Sequence, residues 1–214
     1  ILKKIIEKYF PTSTDSHYTI DSEQRIYSLL TEGINELREY ATIYTTESFS
    51  SAKILPPLSP NIGVRLKSDL LDINIDLGDV SKHELADILS SYKQKKTFHR
   101  LKDGSFLSLE GSCFSELIDL QDGLGLSKKD LAKDTLSVPK FRALFLDNIM
   151  MQSESITFTR NEEFFETIQS IQGVKRSNFQ VPRELSPILR KYQKTGFKWL
   201  KTLEHYGFGG ILAD

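Results

Sequence analysis

The chain has 214 residues, of which 39% are hydrophobic and 27% are charged, and its formal net charge is −1. This composition is typical of a globular protein with its own core, and the length permits one large domain or two small ones. No apolar run approaches the ~18 residues of a membrane span, and the amphipathic N-terminus is unlike a signal peptide, so membrane and secreted classes are not indicated.

Helical spacing dominates the N-terminal part. "ILKKIIEKYF" and "DSEQRIYSLLTEGINELREYA" carry apolar residues on one helical face, which predicts two helices with Asp21 as the N-cap of the second. The polar residues 11–19 connect them. "TIYTT" predicts a short strand, and "ESFSSAKIL" predicts one or two helical turns. "PPLSP" then marks a domain boundary, because proline lacks a backbone donor and disfavours helix in the residue before it.

A strand pair, a helix and a hairpin follow. In "GVRLKSDLLDINIDLGD", apolar residues alternate with polar ones over 71–77, which predicts two strands with one face exposed to water. "SKHELADILSSYKQKK" predicts a helix with a capping box formed by Ser81 and Glu84. "TFHRLKDGSFLSLE" predicts a hairpin whose two-residue turn is Asp103-Gly104.

Helices dominate the rest of the chain. Helical segments are predicted for "CFSELIDLQDGLG", "SKKDLAKD", "PKFRALFLDNIMMQ" and "NEEFFETIQSIQG". "SITFT" is either a brief strand or an extended link. After a stretch rich in breakers and basic residues at 174–187, the chain closes with an amphipathic helix, a glycine turn and the apolar strand "GILAD".

These patterns predict an α+β fold, in which a mixed domain combines antiparallel hairpins with several helices. The predicted organisation is a mostly helical segment at 1–55, an α+β domain at 56–173, a linker at 174–187 and the start of a further domain at 188–214. Because the sequence begins at Ile1 and ends within an apolar strand, we expect it to be a fragment.

No constellation of residues predicts catalysis or metal binding. The acidic alternation at 72–76 lacks the glycine and the glutamate that a calcium loop needs further along. No phosphate loop or dinucleotide fingerprint is present. Cys113 is the single cysteine, which suits a reducing cytosol; it is interpreted as a small buried hydrophobe, the other interpretation being a lone nucleophile. The four histidines are His17, His83, His99 and His205, and no two of them have the sequence spacing typical of a metal-binding pair.

A basic stretch with aromatic residues lies at 92–102, "YKQKKTFHRLK". Basic side chains neutralise phosphates and aromatic rings stack on bases, so this stretch is a candidate nucleic-acid contact. The alternative is a helix end and a hairpin edge on which charge preserves solubility and blocks unwanted strand pairing. The candidate residues are Lys95, Lys96, Arg100 and Lys102, with Tyr92 and Phe98 as the aromatic residues.

The closing segment carries the most specific signal. "LRKYQKTGFKWLKTLEHYGFGGILAD" closely resembles the opening of the ATPase core in the Swi/Snf (Snf-two) family of DNA translocases, whose pattern is Leu-Arg-Pro-Tyr-Gln, Gly, Trp-Leu and Gly-Gly-Ile-Leu-Ala-Asp. Lys191 stands where proline is usual in the family. Residues 20–180, with "KKTFHRLKDGSFLSLE", "PKFRALFL" and "NEEFFETI", are similar to the helicase-associated domain that precedes the core in bacterial members.

The resemblance implies that residues 188–214 give a helix and a strand of an incomplete RecA-like α/β ATPase lobe. Gln193 matches the glutamine that reads the adenine edge of ATP with its donor and acceptor, and Arg190 and Tyr192 would shape that pocket. ATP and Mg²⁺ are expected in the intact protein. The fragment lacks the phosphate loop, the metal-binding acidic motif and the arginine finger, so we expect it to hold no cofactor and no catalytic residue and not to hydrolyse ATP.

The resemblance further implies an accessory, regulatory region of a bacterial ATP-dependent DNA translocase that works in the cytoplasm, on the nucleoid. The expected partners are double-stranded DNA, through the intact protein, and a protein of the transcription or repair machinery, with no membrane. The alternative is a protein-docking or autoinhibitory module that makes no direct nucleic-acid contact.

Overall fold

A computed structural model of the chain describes residues 1–14, 17–20, 22–50, 53–172 and 179–212, except for the side chains at 48, 50 and 172. The described helices are α1 (Leu2–Tyr9), α2 (Glu23–Ser28), α3 (Ile34–Arg38), α4 (Glu47–Ser50), α5 (Leu85–Lys93), α6 (Cys113–Leu124), α7 (Lys128–Leu131), α8 (Ala143–Gln152), α9 (Glu162–Gln172) and α10 (Lys191–His205). The described strands are β1 (Thr12–Ser13), β2 (Tyr18–Thr19), β3 (Ile54–Leu55), β4 (Asn61–Lys67), β5 (Leu70–Asp76), β6 (Phe98–Arg100), β7 (Phe106–Ser108), β8 (Leu136–Pro139) and β9 (Thr157–Arg160). This mixture of helices and sheets confirms the predicted α+β class.

The chain divides into two compact units that are not sequential. The first unit comprises Ile1–Leu58 and Ser90–Gly111, and the second comprises Ser59–Leu89 and Ser112–Asp214. The domain boundaries expected from composition stay predictions. None of the helices described in either unit is long and apolar enough to cross a membrane.

The second unit is built on a four-stranded sheet with the strand order β8-β5-β4-β9. β4 and β5 form the predicted antiparallel pair, in register along all seven residues of each strand. β9 adds in parallel beside β4, so "SITFT" contributes a strand. The alternation predicted for 71–77 is confirmed, because Leu71, Ile73 and Ile75 are each at most 4% exposed.

Helices supply much of the remaining buried core of the second unit. α9 packs against β4, and α8 packs against both α6 and α9. Asn161, just before α9, accepts a hydrogen bond from the N–H of Leu66 and donates one to its C=O, both at 3.0 Å. The same Oδ1 also accepts from the N–H of Phe164 at 3.2 Å. Asn161 therefore ties the end of a strand to the start of a helix. The large side chains buried in these helices include Phe114, Leu117, Leu146 and Phe164.

The first unit contains a three-stranded sheet with the order β3-β7-β6. The predicted hairpin of β6 and β7 is confirmed, but its turn is wider than two residues. The N–H of Leu101 donates to the C=O of Ser105, which leaves three residues in the loop. Gly104 has φ +89°, a backbone conformation that favours glycine. The Oδ1 of Asp103 accepts from the N–H of Ser105 at 2.8 Å, which fixes the loop.

The first unit also contains α1 packed against the continuous helix formed by α2 and α3. α2 runs through a π-helical turn, Leu29–Gly33, into α3, so the second predicted helix contains one widened turn. Gly33 permits the close approach of α1, since a Cβ there would lie 2.9 Å from ring atoms of Tyr9. The Nζ of Lys8 lies 2.9 Å from the Oε1 of Glu36 across the same contact.

Several local predictions were wrong. "TIYTT" forms no strand and residues 11–19 contain the short pair β1 and β2, because strand formation depends on an available partner more than on β-branched composition. Ser81 makes no capping hydrogen bond, and a 3₁₀ turn, Lys82–Glu84, precedes α5. Ile211 and Leu212 are exposed and in no strand, and Asp21 and the last two residues of "GILAD" lie outside the described residues.

Candidate nucleic-acid interface

The C-terminal end of α5 positions two of the candidate lysines. The N–H of Lys95 donates to the C=O of Tyr92 at 2.8 Å, and the N–H of Lys96 donates to the C=O of Ser91 at 3.2 Å. These two bonds form a Schellman motif, which ends a helix with one residue in the left-handed conformation. Lys95 occupies that position with φ +59°, although glycine is the usual residue there. Both lysines are exposed.

Strand β6 positions Arg100. Its guanidinium lies 5.6 Å from the centre of the Phe106 ring, within the range of a cation–π contact. Its Nη1 also lies 3.5 Å from the Oε1 of Glu23, the first residue of α2. Arg100 is therefore held from two sides while 44% of its side chain stays exposed.

These basic residues line one cleft in the first unit, with a volume of about 470 Å³. We call it the basic cleft. Among the residues that the structure describes, its charged lining consists of the cations of Lys95, Lys96 and Arg100 and the carboxylate of Glu23. Three of the four residues predicted to contact nucleic acid thus come together from a helix end and a strand. The other lining residues are Gln24, Ser91, Thr97, Phe98 and His99.

Lys102 lies elsewhere. It is exposed in the hairpin loop between β6 and β7 and is not a lining residue of the basic cleft. The nucleic-acid role of all four basic residues stays a prediction, but the geometry separates a cluster of three from one residue on the loop.

Of the two aromatic residues of the stretch, Phe98 offers no open ring for a base. Phe98 is 8% exposed and its ring stacks on that of Tyr27, with centroids 4.5 Å apart and an interplanar angle of 14°. The rings of Phe98 and Phe106 also pack edge to face, with their centroids 5.3 Å apart. Tyr92 is half-buried. The expectation of base stacking on Phe98 was therefore wrong, because that ring is already packed into the core of the first unit.

The remaining chemistry of the basic cleft is the recognition of phosphate. The carbonyl end of α5 carries a partial negative charge, which by itself would repel an anion. Lys95 and Lys96 offset this charge, and Arg100 adds the two-pronged donor that suits phosphate oxygens. In the wall, the Oγ of Ser91 and the Nδ1 of His99 are hydrogen-bonded at 2.8 Å, which joins the helix end to β6.

Sequence reasoning missed the contribution of α2 to this cleft. Glu23 and Gln24 line it, yet Glu23 stands 77 positions before Arg100 in the chain. No local pattern indicates a contact over that separation. The hydrogen bond of Ser91 to His99 was also missed, although the two residues lie in adjacent predicted elements.

The residues predicted to contact adenine lie at the start of α10. The Oε1 of Gln193 accepts a hydrogen bond from the N–H of Arg190 at 2.9 Å, so the amide caps the first turn of the helix. Arg190, Tyr192 and Gln193 are all exposed. Their contact with ATP stays a prediction.

Cys113 is buried at the start of α6. Burial raises the pKa of its thiol, and the charge of Glu116 raises it further. A raised pKa lowers the fraction of reactive thiolate, which favours the interpretation of Cys113 as a small hydrophobe. Across the part of the chain that the structure describes, no group of His, Cys, Asp and Glu side chains could hold a metal ion.

Comparison with known proteins identifies the family. A family model described as "Bacterial SNF2 helicase associated" matches residues 1–182. The chain belongs to this family. The match confirms the similarity predicted for residues 20–180 and extends it to the N-terminus. The basic cleft lies within the matched range, whereas Arg190, Tyr192 and Gln193 lie beyond it.

Relatives of this SNF2-associated chain include two bacterial helicases. An uncharacterized ATP-dependent helicase of Mycoplasma pneumoniae is 30% identical over 129 residues, which cover 59% of this chain and 12% of that protein. The uncharacterized ATP-dependent helicase MG018 of Mycoplasma genitalium is 25% identical over 154 residues, covering 71% of this chain and 14% of that protein. The human TATA-binding protein-associated factor 172 is 38% identical over 64 residues, 30% of this chain and 3% of that protein. No solved structure matches.

Proposed function

We infer that this chain is the accessory region of an ATP-dependent Swi/Snf-type DNA translocase and that its first unit contacts duplex DNA through the basic cleft. The observation that carries this proposal is the convergence of Lys95, Lys96 and Arg100 on one cleft from two separate elements. Since the ring of Phe98 is packed on both Tyr27 and Phe106, the contact would be with phosphates and would carry no sequence specificity.

The activity of the whole protein is part of the proposal, because the chain spans only 12% and 14% of the two Mycoplasma helicases that it matches. ATP hydrolysis with Mg²⁺ would belong to the ATPase core, with Gln193, Arg190 and Tyr192 at the adenine pocket. The accessory region would restrain or steer the movement of that core on DNA in the cytoplasm, and a protein of the transcription or repair machinery is a further expected partner.

The test is the binding of fluorescein-labelled duplex DNA to the whole chain, followed by anisotropy over a range of salt concentrations. The triple variant Lys95→Gln, Lys96→Gln, Arg100→Gln should lose most of the affinity, and its plot of log affinity against log salt should flatten by up to ~0.9 per phosphate contact removed. The control variant Lys3→Gln, Lys4→Gln, Arg38→Gln changes exposed residues of the same unit and alters the net charge equally. It should bind DNA nearly as the wild type does.

The alternative function is the docking of a protein with no nucleic-acid contact. The observation that favours it is an apolar groove of about 650 Å³ in the first unit, whose lining includes Phe10, Ile26, Leu30, Ile34 and Phe49. Phosphate contacts are strongest at low salt, so the absence of DNA binding at low salt would reject the DNA proposal and favour docking. Equal weakening by the two triple variants would reject the basic cleft as the contact.

A further inference from the structure

Glu23 lies within the proposed phosphate site. It begins α2 and lines the basic cleft, where it supplies the single carboxylate among the lining residues that the structure describes. Its Oε1 lies 3.5 Å from the Nη1 of Arg100, and 60% of the Glu23 side chain is exposed. A phosphate that approaches Arg100 must therefore enter a position that already borders a negative charge.

The Glu23–Arg100 ion pair is expected to contribute little to the stability of the fold, because both side chains are largely exposed. Ion pairs between exposed side chains contribute little to stability, because water screens the charges and both side chains lose freedom when they pair. An acidic residue in the first turn of α2 is favourable to the helix dipole whether or not Arg100 is nearby. Glu23 therefore has a local reason to begin the helix, and its effect on Arg100 is a separate consequence of the fold.

Arg100 has a second support that does not depend on Glu23. Its guanidinium lies over the ring of Phe106, the residue with which it pairs across the hairpin. Removal of the Glu23 charge should leave Arg100 in the basic cleft with its positive charge no longer neutralised. The two cations on the other side of the cleft, Lys95 and Lys96, come from a different element and should be unaffected.

We propose that Glu23 competes with DNA phosphate for Arg100 and thereby lowers the affinity of the basic cleft for DNA. This inference rests on the proposed function. In the free protein the carboxylate of Glu23 pairs with Arg100, and on DNA a phosphate oxygen replaces it. A contact that re-forms its internal pair on release stays reversible, which suits a protein that must move along its DNA.

The experiment compares Glu23→Gln with Glu39→Gln in the whole chain. Both glutamates are exposed in the first unit and both variants remove one negative charge. Glu23→Gln should bind labelled duplex about fivefold more tightly at low salt, because the largest contribution usual for an exposed ion pair corresponds to about a fivefold change in affinity. For Glu23→Gln, the slope of log affinity against log salt concentration should steepen by up to ~0.9, the change expected for one additional phosphate contact. Glu39→Gln should change the affinity by less than about twofold.

A double-mutant cycle tests whether Arg100 transmits the effect. In the Arg100→Gln background, the change Glu23→Gln should no longer tighten binding, because the pair that it releases is already absent. An equal gain in both backgrounds would overturn the proposal, since Glu23 would then act only as a general negative charge.

The remaining outcomes separate this inference from the proposed function. If the wild type binds DNA through the basic cleft but Glu23→Gln and Glu39→Gln bind alike, the competition by Glu23 is rejected and the DNA contact stands. If neither the wild type nor Glu23→Gln binds at low salt, both proposals are rejected. If only Glu23→Gln binds at low salt, the wild type makes no DNA contact, so the proposed function is rejected together with the exchange of Glu23 for phosphate.

Discussion

Replacement of Lys95 by glycine should stabilise the protein and weaken DNA binding at the same time. Lys95 ends α5 at φ +59°, where a side chain costs about 1 kcal/mol relative to glycine because its Cβ crowds the backbone. Glycine keeps both hydrogen bonds of the Schellman motif, since they use backbone atoms of Lys95 and Lys96. The free energy of unfolding should therefore rise by about 1 kcal/mol. Loss of the Lys95 charge should lower the steepness of the plot of log DNA affinity against log salt concentration by ~0.9, the value for one phosphate contact.

Two control variants separate the backbone effect from the charge effect. Ser68 has φ +57° in the turn between β4 and β5 and is exposed, so Ser68→Gly should give a similar gain in stability with no change in DNA binding. Lys95→Ala retains the strained backbone and loses the charge, so it should weaken binding without a gain in stability. Urea denaturation followed by circular dichroism measures stability, and anisotropy of labelled duplex over a salt series measures binding.

Either half of this prediction can be refuted separately. If Ser68→Gly stabilises the protein and Lys95→Gly does not, the left-handed conformation of Lys95 is not strained as inferred. If Lys95→Gly and Lys95→Ala keep the salt dependence of the wild type, Lys95 makes no phosphate contact. A loss of stability in Lys95→Gly would mean that the lysine side chain contributes more to the end of α5 than its backbone strain costs.

Two further predictions concern the second unit. Asn161→Ala removes the two hydrogen bonds with Leu66 of β4 and the one from the N–H of Phe164 in α9, so it should lower the free energy of unfolding by about 2–3 kcal/mol. The control Asn148→Ala, on the exposed face of α8, should change that free energy by less than about 0.5 kcal/mol. Urea denaturation measures both variants, and equal effects would contradict the prediction. Burial acts to raise the pKa of Glu116, but the hydroxyls of Ser153 and Ser155 donate to its carboxylate and hold that pKa below 4.5. Because the pKa of Glu116 is lower in the folded state, the charged carboxylate stabilises the fold above pH 4.5, and this stabilisation is lost as the pH falls through the folded-state pKa. The difference in stability between the wild type and Glu116→Gln should therefore shrink in acid. A difference that does not depend on pH would refute this prediction.

Local pattern was sufficient for much of the fold. The alternation from Leu71 to Leu77 predicted a strand with one buried face, because side chains in a strand point alternately to the two sides of the sheet. Asp103-Gly104 marked the hairpin, although the structure widened its turn. "TIYTT" misled for the opposite reason, since a β-branched composition cannot supply the neighbour that a strand must pair with.

The candidate site could be predicted only in part. The run of basic residues identified Lys95, Lys96 and Arg100, because charge is visible in the sequence without any knowledge of the fold. The same run placed Phe98 among the candidate DNA contacts, and its burial against Tyr27 was not visible, since Tyr27 belongs to a distant helix. Nothing in the sequence indicated that Lys95 would take a left-handed conformation, because no glycine marks the end of α5.

The sequence by itself determined the α+β class, most of the helices and the family, since each depends on patterns within short segments or on similarity along the chain. Only the tertiary structure decided which segments share a unit, how β9 adds beside β4, and that Glu23 meets Arg100. These are contacts between residues far apart in the chain. They form because the apolar faces of several elements must be buried together, and no single segment carries the information for that arrangement.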